Sequence, residues 1–392
     1  MPTLKRKLKM GQVGGGPGAF IGAVHRKAAA LDGQIDLVAG CFASTAAKSK
    51  ETGKELLLDP KRVYGSYTQM IEKEKALPKG ERIDFVSIVT PNHVHHPVAQ
   101  AFMEAGFNVV CDKPMTITVA EAEHLCDTVK RTGSVFALTH NYTGYPMVKE
   151  ARELVRQGEL GELRKVVVEY PQGWLATALE TEGAKQAVWR TDPKTSGASG
   201  CIGDIGSHCE NLVHYVTGLS MAEICADLTI FVPGRKLDDD GNILVRYTNG
   251  ARGVLYASQI SVGDENGLTI RVYGTKAGLE WHQEEPNYLR VKYPDGPEKV
   301  YKRGNGYLSP ITQHNSRLPF GHPEAFIEAF ANIYVNVANT IRAKLEKREP
   351  GEFDLDFPTV QDGARGVHFI NKAVESAQNG AVWVSAEYTP PS

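Results

Sequence analysis

The sequence predicts two unlike domains: an N-terminal α/β domain and a C-terminal α+β domain with an open, mostly antiparallel sheet. Three observations predict this. Strands and helices alternate over the first 140 residues, a glycine cluster follows the first strand, and hairpin-type runs dominate after residue 160. The expected division is 1–140 and 141–392. The length of 392 residues supports more than one domain.

LKMGQVG (8–14) reads as a short strand. Glycines follow at 14, 15, 16, 18 and 22, then VHRKAAAL as helix and IDLVAGCFA as a second strand. Strand, glycine turn, helix, strand is the opening of a Rossmann dinucleotide-binding domain. There the backbone must approach a pyrophosphate and the helix N-terminus supplies N–H groups. The spacing is longer than usual: Pro17 to Ile21 extend the loop, and Gly22 is expected to open the helix. Gly14, Gly16, Gly18, Ala19, Phe20 and Ile21 are the expected cofactor contacts. After the second strand the acidic residue that usually holds the adenosine ribose is missing; Cys41-Phe42-Ala43-Ser44-Thr45 stands there. Ser44 is a candidate contact and Lys48 lies one turn on, so NAD and NADP both stay open, with NAD slightly favoured.

IDFVSIV is apolar throughout, as a strand covered on both faces should be. TPN ends it on the crevice side, so Thr90, Asn92 and, at the start of the next helix, His95 are expected to face the cofactor. His93, His95, His96 and His124 match no metal-ligand spacing, and no metal is expected. FNVVCDKP is the next strand. Lys113 ends it, in the crevice where ligands bind such sheets. A lysine there is costly to bury unless it is paired or working.

In the second half PMVKEARELVRQGELGEL reads as an amphipathic helix and RKVVVEYPQGWL as a strand. Four further runs carry NG and DG hairpin signals, and two long helices close the chain. Asp238, Asp239 and Asp240 read as a hairpin turn. The segment SGASGCIGDIG precedes a helix expected from about Ile205 to Tyr215. Asp204 and His208 are four apart, which on an α-helix puts them on one face. A carboxylate so placed can fix one imidazole tautomer and leave the other nitrogen free to take a proton. Cys209, Glu210 and His214 point elsewhere.

Composition excludes several classes. A formal net charge of -2 argues against a nucleic-acid partner. The basic start, MPTLKRKLKM, reads as a leader into the first strand, and no apolar run is long enough to cross a membrane. Six cysteines make no disulfide framework, and a cytoplasmic location is expected.

The combination VGGG, His25 after Gly22, TPN followed by His95, CDKP, and GDIGSH resembles the Gfo/Idh/MocA family, named for glucose–fructose oxidoreductase, inositol dehydrogenase and rhizopine catabolism. The likeness covers nearly the whole chain. Asp112 stands where the family commonly has Glu. The resemblance implies an NAD(P)-dependent oxidoreductase acting on a ring secondary hydroxyl of a sugar or cyclitol, with Lys113, Asp204 and His208 as the catalytic set. It also implies that Asn141 and Tyr142 line the nicotinamide and substrate, that Trp189 and Arg190 meet sugar hydroxyls, and that His322 contributes late in the chain. A homo-oligomer, dimer or tetramer, is expected through the open sheet. Two other readings are a glycoside-cleaving enzyme that oxidises its substrate transiently with tightly held NAD, and a cofactor-binding regulator without catalysis.

Overall fold

The computed structural model describes residues 5–391. The first four residues of the basic leader lie outside that range. The described part is pinned to the sheet: Arg6 pairs with Asp84 at 2.6 Å and Lys7 with Asp36 at 2.9 Å.

The first sheet has five parallel strands: β1 (Leu8–Gly14), β2 (Ile35–Cys41), β3 (Phe85–Val89), β4 (Asn108–Cys111) and β5 (Phe136–Leu138). Their order is β2-β1-β3-β4-β5. Helices α1 (Phe20–Leu31), α2 (Ala46–Glu55), α3 (Tyr67–Ala76), α4 (His95–Glu104) and α5 (Val119–Thr132) connect them. Strand β3 is buried at every position, in keeping with its unbroken apolar run. Helix α5 is set by a capping box between Thr118 and Glu121 and ends at Gly133, whose φ of 62° is a left-handed cap.

Next come α6 (Pro146–Arg156), β6 (Leu163–Pro171), α7 (Lys185–Arg190), α8 (Pro193–Ser196) and α9 (Ser207–Thr217). Then follow β7 (Met221–Thr229), β8 (Asp240–Tyr247), β9 (Arg252–Ser258), β10 (Thr269–Gly274), β11 (Gly278–His282), β12 (Tyr288–Lys292) and β13 (Lys299–Lys302). Helices α10 (Pro310–His314), α11 (Phe326–Glu346) and α12 (Val360–Gln378) and strand β14 (Val384–Ser385) complete the chain. The second sheet has nine strands in the order β13-β12-β11-β10-β6-β9-β8-β7-β14. All its pairings are antiparallel except β6 with β9.

The covering of the first sheet does not end at residue 140. Phe330, Ile333, Tyr334, Val337 and Ile341 of α11 pack with Leu8, Met10 and Phe85, while Val360, Ala364 and Val367 of α12 join the core on β3 and β4. Leu138 N–H of β5 donates to the Pro358 carbonyl at 2.8 Å. The two last helices thus tie the sheets together and fix the cleft between them.

Candidate active site

The glycine loop is built for close approach. Gly14 and Gly15 have φ of 85° and 72°, which side chains rarely adopt. A Cβ on Gly16 would lie 2.6 Å from the Phe42 carbonyl, and one on Gly22 would lie 2.4 Å from the Gly15 Cα. Helix α1 starts at Phe20, two residues before the glycine expected to open it, because Gly22 is needed inside the first turn to let the helix touch the loop. Ala19 caps it without a side-chain hydrogen bond, so the first-turn N–H groups are free for an anion.

This loop borders a cavity of about 1270 Å³. That exceeds an ordinary single-ligand pocket. One end is lined by Ser44, Lys48, Glu51 and Glu55, the middle by Gly14, Gly16, Ala19, Phe20, Ile21, Thr90 and Asn92, the far end by Lys113, Asn141, Tyr142, Asp204 and His208. Buried Thr90 Oγ1 and Asn141 Nδ2 have no protein partner. Orphaned polar atoms beside a glycine cradle and an uncapped helix fit a dinucleotide.

At the far end Lys113 Nζ donates to Asp204 Oδ1 at 2.7 Å and to the Asp204 carbonyl at 2.5 Å. Asp204 Oδ2 accepts from Arg190 Nε at 3.0 Å and Gln259 Nε2 at 2.9 Å. Burial alone would raise the Asp204 carboxyl, but Arg190 and Lys113 outweigh it and hold it well below the usual carboxylate range. Burial, Lys113 and His140 push His208 well below the ordinary imidazole value, so it is neutral at neutral pH.

Asp204 and His208 are not the hydrogen-bonded pair that their spacing suggested. Residues Ile202–Gly206 form a π turn ahead of α9. A π turn takes more residues per turn than an α turn, so position i+4 no longer lies above position i. Asp204 is directed to Lys113 and Arg190 instead. His208 Nδ1 meets His140 Nδ1 at 3.4 Å, so His140 is the group that can set its tautomer.

Other expected contacts divide. Trp189 and Arg190 line the cavity, with the guanidinium 4.2 Å from the Trp189 ring centroid, though Arg190 is committed to Asp204. His95 lies outside the cavity lining: fully buried, it faces the carbonyls of Pro114 at 2.8 Å and Thr90 at 2.9 Å and braces the ends of two strands. Gly18 also lies outside the lining, its carbonyl accepting from Gln186 Nε2 at 3.0 Å. His322 is exposed on a loop held away from the cavity by Arg303, whose guanidinium is paired with Glu324 at 2.7 Å. Thr45 caps α2, and buried His25 joins α1 to α11 through Tyr334 OH at 2.7 Å.

Several residues at the site escaped the sequence reading. Lys185 Nζ reaches the Pro17 carbonyl at 2.8 Å, so α7 lies over the glycine loop. Trp174 also faces Arg190, its ring centroid 5.7 Å away. Asp238, read as part of a hairpin turn, instead accepts from Ser199 Oγ, Gly200 N and Ile202 N at 2.9 to 3.0 Å and so anchors the glycine segment leading to Asp204. In the sequence it sits in the polar run Lys236-Leu237-Asp238-Asp239-Asp240, which gives no signal of this role. Gln259 and His140 gave none.

A parallel-sheet cradle for a dinucleotide, facing a lysine, a carboxylate and a neutral histidine across one cleft, defines a nicotinamide-dependent oxidoreductase. The description "Oxidoreductase family, NAD-binding Rossmann fold" matches residues 8–140, and "GFO/IDH/MocA C-terminal domain" matches residues 148–280. An inositol dehydrogenase homolog from Azotobacter vinelandii, solved with NAD+, is 34% identical, covers 97% of this chain and 98% of its own, and superposes with a TM-score of 0.93. The same homolog has been solved with NADH and myo-inositol, at 33% identity over 97% of this chain and 98% of its own, with a TM-score of 0.90. An oxidoreductase from Sinorhizobium meliloti is 43% identical over 97% of this chain and 100% of its own, with a TM-score of 0.87. The uncharacterized oxidoreductase YfiI of Bacillus subtilis is 33% identical over 97% of each chain. The chain belongs to the GFO/IDH/MocA family of oxidoreductases. Its activity is NAD(P)-dependent hydride exchange.

Proposed function

We propose that Lys113, Asp204 and His208 perform this exchange on a ring secondary hydroxyl, and that a cyclitol of the myo-inositol type is a substrate. The observation that carries the assignment is the neutral His208 and the Lys113–Asp204 pair facing the same cavity as the glycine cradle. A nicotinamide bound at the Asn141 end supplies the hydride acceptor. Lys113 Nζ, held by Asp204, donates to the reacting oxygen. His208 Nε2 takes the hydroxyl proton, which a neutral imidazole can do. Asp204 holds Lys113 in place and fixes Arg190. The indole walls of Trp174 and Trp189 suit the C–H faces of a ring. Tyr142 OH is fixed by a network with Tyr170 and Asn266 and orients a substrate hydroxyl.

NAD is the preferred cofactor in this reading. Glu51 and Glu55 stand with a single cation, Lys48, at the adenosine end, and two carboxylates there disfavour a 2′-phosphate. The NAD+ complex of the Azotobacter homolog supports the same choice. A homo-oligomer through the nine-stranded sheet is part of the reading: Leu244 is 50% exposed on the face opposite α9 and α12, with Val254 half-buried on the neighbouring strand. The 140/141 domain boundary and a cytoplasmic location complete it. Six free thiols, five of them buried, suit a reducing compartment.

The test is a polyol panel, myo-inositol first, followed at the NADH absorbance band. Net reduction of NAD+ with a pH–rate profile altered in His208→Ala supports the assignment. An unchanged profile removes His208 as the base. Retained NAD without net reduction moves the reading toward transient oxidation.

A further inference from the structure

Helix α9 works from two sides. His208 faces the large cavity, while Glu210 lies on the opposite side, between α9 and α12. Glu210 is 3% exposed, and burial, with Asp362, raises its carboxyl to about 7 although Arg365 opposes this. Arg365 is itself paired with Asp362 at 2.9 Å. Glu210 borders a second cavity of about 30 Å³, lined also by His214, Ser220, Arg365, His368 and Tyr388. It has room for about two waters, and Ser220 at its rim is exposed.

His140 stands between the two cavities. Its Nδ1 faces His208 Nδ1 at 3.4 Å. Its Nε2 faces α12 at Gly366, where a Cβ would lie 4.0 Å from His140 Nε2 and 3.8 Å from Glu210 Oε2. Both polar atoms therefore border the space over the Gly366 Cα. That space suits one water with two polar partners. The same distances are ordinary contacts, so a methyl group would fill it without a clash.

We propose that His140, a water over Gly366, and Glu210 form a proton-exit path from His208 to the small cavity behind α9. The path rests on His208 being the base. At the start His208 Nδ1–H donates to His140 Nδ1, and His140 carries its proton on Nε2. As His208 Nε2 takes the substrate proton, its Nδ1–H bond breaks and the His140 Nδ1–H bond forms. The His140 Nε2 proton passes through the water to Glu210 Oε2, and Glu210 releases it to the small cavity. One proton enters and one leaves; once product has left, His208 Nε2 gives its proton to water in the open cleft, Glu210 returns one through the water to His140 Nε2, and the His140 Nδ1 proton passes back to His208 Nδ1, which restores both tautomers. An exit behind the helix is needed because substrate and cofactor fill the front of the cleft during the reaction.

The charged groups around this path are Lys113 and Asp204 at His208; Lys113, Asp112 and Asp362 at His140; and Arg365, Asp362, Tyr247 and, across the small cavity, His214, His368 and Tyr388 at Glu210. Glu210 must be ionised to accept the proton. Single-turnover proton release should therefore slow as pH falls through about 7 in the wild type.

The experiment compares Gly366→Ala, Glu210→Gln and His208→Ala in the full chain, using the polyol that the wild type oxidises fastest in the panel. A pH-indicator dye in weak buffer follows proton release, absorbance follows NADH, and histidine 15N spectra of the ligand-free protein follow the imidazoles. Gly366→Ala is expected to melt no lower than wild type but to release its proton roughly tenfold more slowly than it forms the first NADH. Glu210→Gln should lose the limb near pH 7 and abolish the response of the His140 nitrogens near that pH. Wild-type proton release and pH profile in both variants, with His208→Ala inactive, would overturn the path and leave the base standing. Full turnover by His208→Ala would instead overturn the base. If Gly366→Ala misfolds, Glu210→Gln decides.

Discussion

Two buried clusters in this molecule have nearly the same parts. At the cavity, Asp204 is held by Lys113 at 2.7 Å and Arg190 at 3.0 Å. In the interior, Asp356 is held by Lys149 at 2.6 Å and Arg152 at 2.7 Å. Each arginine also lies 4.2 Å from an aromatic ring centroid, Trp189 in one case and Tyr215 in the other. Both aspartates sit below the usual carboxylate range despite burial. The difference is what lies beyond the ions. Tyr215 OH closes the second cluster by donating to Asp356 at 3.0 Å, whereas the first opens on a cavity and a neutral histidine. A depressed carboxylate therefore does not by itself mark an active site; open space and a group able to change its protonation do.

The largest expected effect separates the clusters by kind. Lys113→Ala should lower kcat about 10²- to 10⁴-fold, the range of a positioned proton-handling group, while titration of intrinsic fluorescence still shows NAD+ binding. Lys149→Ala should leave the turnover of the folded fraction unchanged. It should cost about 3 kcal/mol in urea unfolding, because it removes one of the two cations on Asp356 and the buried stem that carries it. Equal losses of turnover in the two variants would break the distinction.

The acid limb is the next effect in size. An aspartate with a depressed folded pKa stabilises the fold above its unfolded pKa of about 3.9, and this stabilisation is lost as pH falls through the folded value. For Asp356 that value is about 2, so the interior cluster should lose its contribution between roughly pH 4 and 2. Unfolding free energy measured across that window should fall, and Asp356→Asn should flatten the slope. Asp204 stays ionised throughout the working range, so its titration should not shape the rate profile near neutrality.

Much of this was legible from local pattern. The unbroken apolar run of β3 requires cover on both faces, the glycines after β1 require a backbone turn, and Lys113 at a strand end had few structural uses. What local pattern could not carry was partnership across the chain. Gln259 and Asp204 are 55 residues apart, and His140 and His208 are 68 apart. The spacing of Asp204 and His208 misled because it assumed α geometry, and the π turn redirected the carboxylate to Lys113. Asp238 sits in a DDD run that looks like a polar turn, and only packing against Gly200 shows it as an anchor. His322 looked available because no local feature reveals that Arg303 and Glu324 hold its loop elsewhere. Lys149 and Arg152 lie on a strongly amphipathic helix, where charges read as solvated, although Lys149 is 2% exposed.

The smallest expected effect is the sharpest test of the comparison, because it changes no charge. Replacing arginine by lysine keeps the cation but removes the planar group that both stacks on a ring and grips a carboxylate. In the interior, Arg152→Lys gives up the contact with Tyr215, a loss of about 1 kcal/mol in unfolding free energy, with kcat and KM unchanged. At the cavity, Arg190→Lys gives up the contact with Trp189, the proposed wall for substrate. Asp204 still has Lys113 and Gln259, so the stability cost should be smaller than at Arg152. KM for the polyol should rise several-fold, because the indole is no longer held in place, and kcat should change less. Thermal melts and a KM-against-kcat comparison on both variants measure this. If Arg190→Lys lowered the melting temperature as much as Arg152→Lys and left KM alone, the cavity arginine would be a structural clamp like its interior counterpart, and Trp189 would lose its place as a substrate wall.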